Sequence, residues 1–243
     1  EEGATEKLTE HLLPSDALVV VSAKAPVKNN EMLLDNIAMM KSVCDALEQC
    51  TVSQVVYISS DAVYADSVPP LTEESSAEPG SLHGVMHLAR ELMLRNSTTA
   101  PLAILRPTLV YGANDPHNGY GPNRFRRLAA EGSEIVLFGE GEERRDHVLV
   151  SDIAEITYRT LFHRSQGVLT IATGQVASFR EIAEMVVSHF EDPVPIKSSP
   201  RQGPMPHDGY RPFDVAATYK AFPDFKYVSV QEGLAKVHVQ ALN

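Results

Sequence analysis

Two histidines, His83 and His87, stand four positions apart in the stretch Leu82 to Arg95, whose apolar spacing predicts a helix. Residues i and i+4 share a helix face, so the two imidazoles are placed to act together. Histidine changes charge near neutral pH, with a reference pKa of about 6.5, which suits a proton relay. The same spacing also suits a metal ion, but no third ligand stands out and no metal is expected. Upstream, Ser59, Ser60 and Asp61 close the apolar run that begins at Val55. A hydroxyl at the C-terminal end of a strand can both donate and accept a hydrogen bond, and Asp61 is either a working acid or a turn cap. Further on, Arg145 lies in the charged run Glu142 to Asp146 and Arg211 in a proline-rich stretch. One or two such guanidinium forks are enough to hold a small anionic group.

These residues need a frame, and the hydrophobic pattern supplies one. Apolar β-rich runs at Ala17 to Ser22, Val55 to Ser59 and Ala103 to Arg106 alternate with helical patterns at Asn36 to Gln49 and Leu82 to Arg95. Such alternation predicts a parallel sheet with crossover helices, a doubly wound α/β fold. Short uncharged strands such as LVVVS and VVYIS read as covered on both faces.

After Tyr111 the texture changes. A loop rich in Gly, Asn and Pro precedes a basic helix around Arg124 to Glu131, a strand IVLF, a helix from Asp152, a strand near Val168 to Ile171 and a helix from Phe179 to Phe190. The segment Asp192 to Pro212 holds six prolines and is expected to be an irregular arm. Residues 1–110 are thus expected to be Rossmann-like, and residues 111–243 mainly a smaller lobe interleaved with the first, with the strand near 168–171 returning to the sheet.

At 243 residues, with 43% hydrophobic and 22% charged residues, the chain has the balance of an ordinary globular protein. Its formal net charge of −11 argues against nucleic-acid binding, which needs a basic face. The longest apolar run, Ala17 to Ala23, is far too short to cross a bilayer. Cys44 and Cys50 fall inside one helical pattern and read as two reduced thiols of a cytoplasmic protein. Among the first 79 residues Gly3 is the only glycine, so no G-x-G-x-x-G or G-x-x-G-x-x-G turn opens a strand-to-helix unit. The expectation is that a first βαβ unit is missing from this chain.

Five segments in order carry a resemblance: Y-I-S-S-D-A-V-Y (Tyr57 to Tyr64), E-P-G-S-L-H-G-V-M-H-L-A-R-E (Glu78 to Glu91), L-R-P-T-L-V-Y-G (Leu105 to Gly112), L-F-G-E-G-E-E-R-R-D-H-V-L-V-S-D (Leu137 to Asp152) and S-V-Q-E-G-L (Ser229 to Leu234). Together they resemble the NAD-dependent epimerase/dehydratase family of extended short-chain dehydrogenases. The resemblance implies an NAD- or NADP-dependent enzyme acting on a sugar or nucleotide-sugar substrate by reversible hydride transfer, and a homodimer packed through the helices around Asn36 to Gln49 and Leu82 to Arg95.

Residue by residue, the resemblance implies that Ser60 touches the reacting sugar oxygen and that Asp61 sits where dehydratases carry an acid. The family's Tyr-x-x-x-Lys pair falls on His83 and His87, so His83 would act as acid or base and His87 would orient the cofactor ribose. Ser22, Ala23, Asn36, Ser59 and Pro107 would line the cofactor, and Thr108, Arg145 and Arg211 the substrate. The histidines leave a second reading open: a non-catalytic nucleotide- or sugar-binding protein on the same fold.

Overall fold

A computed structural model describes residues 3–67 and 69–242. In chain order its elements are α1 (Ala4–His11), β1 (Ala17–Val20), α2 (Asn30–Gln49), β2 (Gln54–Ile58), α3 (Leu82–Ser97), β3 (Leu102–Pro107), β4 (Leu109–Tyr111), α4 (Pro122–Ala130), β5 (Ile135–Phe138) and β6 (Arg144–Leu149). There follow α5 (Val150–Phe162), β7 (Gly167–Ile171), β8 (Val176–Ser178), α6 (Phe179–Val187), β9 (Ile196–Ser199), β10 (Tyr210–Arg211), α7 (Ala216–Ala221) and α8 (Val230–Leu242). None of the described helices is long and apolar enough to cross a membrane.

The chain divides into two compact units. The first holds the chain up to Ala65 together with Glu73–Pro107 and Glu155–Ile171. Its sheet has the order β1-β2-β3-β7, parallel throughout. The β-branched and apolar residues of Gln54–Ile58 explain why β2 takes a central place: four of its five residues are buried, so water reaches neither face. Val20, the last residue of β1, pairs with Tyr57, and Tyr57 with Ile104, so β3 runs three residues beyond the end of β1 before it stops at Pro107. On this sheet Met40, Cys44 and Leu47 of α2 and Leu94 of α3 pack with Val55, Tyr57 and Ile104. Both helices begin at side-chain caps: Asn29 accepts from the Met32 N–H at 2.9 Å, and Ser81 from the Gly84 N–H at 3.2 Å. The Asn29 cap starts α2 at Asn30, six residues before the apolar spacing announces it.

The second unit holds Asp66–Thr72, Thr108–Ala154 and residues 172 onward. In it β10 and β4 both pair in parallel with β6, and β8 pairs with β6 antiparallel. Its core gathers Tyr111, Phe125, Ile135, Leu137, Leu149, Phe179 and Ile182. A capping box between Ser178 and Glu181 opens α6. The proline-rich stretch is more ordered than its composition suggests, because β9 pairs with β5 and β10 with β6. Of the two cysteines, Cys44 is buried and Cys50 half-buried, and both are free thiols.

Candidate active site

In the first unit the start of α3 is pressed onto the turn Asp61–Val63. A Cβ built on Gly84 would stand 2.0 Å from the Ala62 carbonyl oxygen, so only glycine allows the approach. This contact holds the helical turn bearing His83 and His87 against the end of β2. The two imidazoles meet edge to face with ring centroids 4.7 Å apart. His87 is only 6% exposed, and its Nδ1 lies 2.8 Å from the Tyr57 hydroxyl. Burial, helped by the nearby His83 and Arg90, pulls the His87 pKa down to about 3, so the ring is neutral at physiological pH. A metal ion would need further ligands, and among the described residues no group of three His, Cys, Asp or Glu gathers to hold one.

At the end of β2, Ser60 caps the short turn after the strand: its Oγ accepts from the Ala62 N–H at 3.1 Å and donates to Asp61 Oδ1 at 3.4 Å. The capping role weighed for Asp61 therefore falls to Ser60, and Asp61 is buried beside it. Ser59 turns inward, its Oγ donating to Glu91 Oε1 at 2.6 Å. Glu91 in turn receives a bidentate pair from Arg106, Nε to Oε1 at 2.9 Å and Nη2 to Oε2 at 2.6 Å. Neither Glu91 nor Arg106 stood out from the sequence as a member of the site. Their presence in the matched motifs was the only signal, because a buried ion pair leaves no local pattern. Arg106 also lies 4.8 Å over the Tyr64 ring, whose hydroxyl is 2.6 Å from Thr170 Oγ1. Pro107 ends β3 at the same edge and is buried.

The loop after β1 is held from two sides. Asn36, fully buried, accepts from the Lys24 N–H at 3.0 Å and donates through Nδ2 to the Lys24 carbonyl at 2.9 Å and the Met32 carbonyl at 2.7 Å. Arg90 donates from Nη2 to the Ser22 carbonyl at 2.7 Å. Ser22 and Ala23, small and exposed, are left at the surface of a loop that cannot easily shift.

The second unit carries the arginines. Arg211 pairs in register with Arg145 across β10 and β6, so these two residues, far apart in sequence, lie side by side on neighbouring strands about 4.8 Å apart and point to the same face. Arg211, 2% exposed, donates from Nη1 to Asp66 at 2.6 Å and lies 3.1 Å from His207 Nδ1. Arg145 Nη1 is 3.3 Å from Glu143 Oε1. Burial alone would raise the Asp66 pKa. The hydrogen bond with His207 and the charges of His207, Arg211 and Arg145 outweigh it and hold the carboxyl below its ordinary range. Thr108 donates to Asp146 Oδ1 at 3.3 Å, and Thr173 donates to both oxygens of the same carboxylate. Burial raises the Asp146 pKa to about 6 despite these bonds.

The first unit thus presents the strand ends of a parallel α/β sheet with a histidine pair beside them, the place where open α/β sheets take up ligands, and the second presents paired arginines. A family model, the NAD-dependent epimerase/dehydratase family, matches residues 3–172, and the chain belongs to that family. Among curated relatives, the dTDP-L-rhamnose 4-epimerase of Burkholderia thailandensis is 31% identical over 149 residues, which cover 58% of this chain and 41% of that protein. The chain therefore aligns with less than half of that relative's length. Among solved structures, RMD from Pseudomonas aeruginosa complexed with NADPH matches with a TM-score of 0.84 at 19% identity, over 98% of this chain and 85% of that one. UDP-glucuronic acid 4-epimerase from Bacillus cereus, in complex with UDP-glucuronic acid and NAD, matches with a TM-score of 0.81 at 18% identity, over 99% and 79%.

The residues present fit the ribose and nicotinamide part of a dinucleotide. A fixed loop ends in small exposed side chains at Ser22 and Ala23, and His87 offers a neutral ring nitrogen near the strand ends. Gly3 is followed by no other glycine before Gly80, so the described residues contribute no glycine turn for a pyrophosphate.

Proposed function

We propose that this protein takes part in nicotinamide-dependent chemistry on a nucleotide sugar, of the epimerase or dehydratase type. The register match of Arg145 with Arg211 carries the reading, because two guanidinium groups on one face of paired strands suit the adjacent charges of a diphosphate. Thr108 would stand beside the substrate, and Arg145 and Arg211 would hold its diphosphate. Ser22, Ala23, Asn36, Ser59 and Pro107 would form the cofactor side, Ser22 and Ala23 by direct approach and Asn36 by bracing their loop. Ser59 would serve there through its backbone, since its hydroxyl is committed to Glu91.

When bound, a nicotinamide ring supplies the acceptor and donor of hydride. The chain's own residues must move the matching proton. His83 would take the proton from the sugar hydroxyl and return it, Ser60 would hydrogen-bond the same oxygen, and Asp61 would stand by as a second acid. His87 would hold the ribose. NAD and NADP are equally compatible with these residues.

The neutral His87 favours a second reading, in which the same surfaces bind a nucleotide sugar without turnover. Incubating the protein with NAD or NADP and a panel of uridine- and thymidine-diphosphate sugars separates the two. New sugar products, with a transient change in nicotinamide absorbance, support the enzyme. Saturable binding with neither signal supports the binding protein and removes the catalytic role of His83.

In the cell we place the protein in the cytoplasm as a homodimer built on α2 and α3, which expose Leu34, Val85 and Leu92. Light scattering that returns a single-chain mass of 26.6 kDa at micromolar concentration would remove the dimer.

A further inference from the structure

We infer that Tyr57 and Arg90 lock His87 into the tautomer protonated on Nε2, making it a fixed hydrogen-bond donor. Tyr57 lies on β2, is 1% exposed, and has its hydroxyl 2.8 Å from His87 Nδ1. A phenol hydroxyl can donate to a bare ring nitrogen or accept from a protonated one, so distance alone leaves the direction open. Arg90 decides it. Its guanidinium carbon sits 5.2 Å from the Tyr57 ring centroid, and a cation over the ring withdraws electron density, making the hydroxyl a better donor and a poorer acceptor.

Arg90 is well suited to this work because its charge is not cancelled. It is 1% exposed, its hydrogen bonds run to the Ser22 carbonyl and to the Met86 sulfur, and its Nε is buried without a partner. Among the described residues it forms no ion pair. Neighbouring Glu91 is fully engaged by Arg106 and Ser59. Besides Tyr57 and Arg90, the titratable groups bearing on this cluster are His83 and Glu91 on α3 and Cys44 on α2. Of these only Glu91 is a carboxylate, and its charge is already matched by the Arg106 guanidinium. Burial keeps the Tyr57 hydroxyl protonated, well above the ordinary tyrosine range, and keeps His87 neutral. A neutral imidazole has one N–H, and with Nδ1 accepting from Tyr57 that proton is on Nε2.

The use of this arrangement rests on the proposed function. There, an Nε2–H donor can hold a ribose hydroxyl oxygen but provides no fixed charge, so proton exchange with substrate falls to His83, with Asp61 as the second acid. Tyr57 and Arg90 are then positioning residues that act through His87.

Long-range nitrogen–proton correlation spectra of the full chain labelled with nitrogen-15 test the inference, with the His87 signals identified by their loss in His87→Gln. The expected spectrum shows His87 as a single Nε2–H tautomer that does not titrate between pH 5 and 8. Tyr57→Phe, which removes only the hydroxyl, should give a mixture of tautomers, and Arg90→Met should weaken the preference in the same direction. An Nδ1–H tautomer in the parent protein, ordinary titration near pH 6.5, or a Tyr57→Phe spectrum identical to the parent's would each overturn it. Dinucleotide titration of the same samples reports separately on the proposed function. The expected tautomer without binding sinks only that function, and binding with the opposite tautomer sinks only this inference.

Discussion

Arg106 in the first unit and Arg211 in the second are both nearly sealed from solvent, and each leans on a carboxylate. The carboxylates differ. Glu91, the partner of Arg106, has a side chain only 1% exposed, whereas Asp66, the partner of Arg211, is 60% exposed. A sealed pair cannot exchange partners without leaving a bare charge in a low-dielectric interior, so it serves to hold shape. A pair open on its acidic side can surrender the carboxylate to water and take an incoming anion in its place at small cost. On the proposed function one guanidinium type does two jobs, and the exposure of its partner decides which.

The largest expected effect follows from the sealed pair. Glu91→Gln keeps the shape but strands the Arg106 charge, and should lower stability by about 3–5 kcal/mol in urea denaturation at neutral pH. A loss below about 1 kcal/mol would mean that water reaches the pair and that the contrast with Arg211 is false.

Next in size is the pH response of the first unit. In the unfolded chain His87 titrates near 6.5, and in the folded protein near 3. As pH falls through that window the unfolded chain takes up a proton that the folded protein refuses, so the contribution is complete above about 6.5 and is lost toward 3, by a few kcal/mol. His147, buried in the second unit, is shifted in the same way. Comparing denaturation at pH 7 and pH 4.5, His87→Gln should therefore shrink the acid loss without abolishing it. An unchanged loss would show that His87 is not sealed.

The smallest effect belongs to the open pair. Arg211→Met should weaken the binding of inorganic pyrophosphate by about 1.5–3 kcal/mol, and Asp66→Asn, which removes the competing carboxylate, should strengthen it by about 1 kcal/mol or less. Calorimetric titration checks both signs. If Asp66→Asn weakened binding, the carboxylate would be a support rather than a placeholder.

The sequence already held the frame. The uncharged runs LVVVS and VVYIS could be satisfied only as covered parallel strands, and the order of motifs pointed to the family. Arg145 was visible because its charged run follows a glycine pair. Its alignment with Arg211 was not, since that depends on β10, a two-residue strand hidden in a proline-rich stretch whose local propensity opposes strand formation. Tyr57 and Arg90 were opaque for another reason: one looks like any strand aromatic and the other like any charged helix residue. Only packing shows that both are buried and that the arginine lies over the ring. Ser60 displaced Asp61 as the cap because it comes first at the bend, a difference of one position that motif spacing cannot resolve.

Gly84 gives the site an unusual freedom. Because backbone meets backbone between α3 and Ala62, the spacing from the strand end to the helix does not depend on which side chains occupy positions 83 and 87. On the proposed function those positions are interchangeable tools on a fixed holder: the phenol and amine that the family resemblance implies there would fit without moving the parts. A single methyl group at position 84 would jam the holder itself, whatever tools it carried.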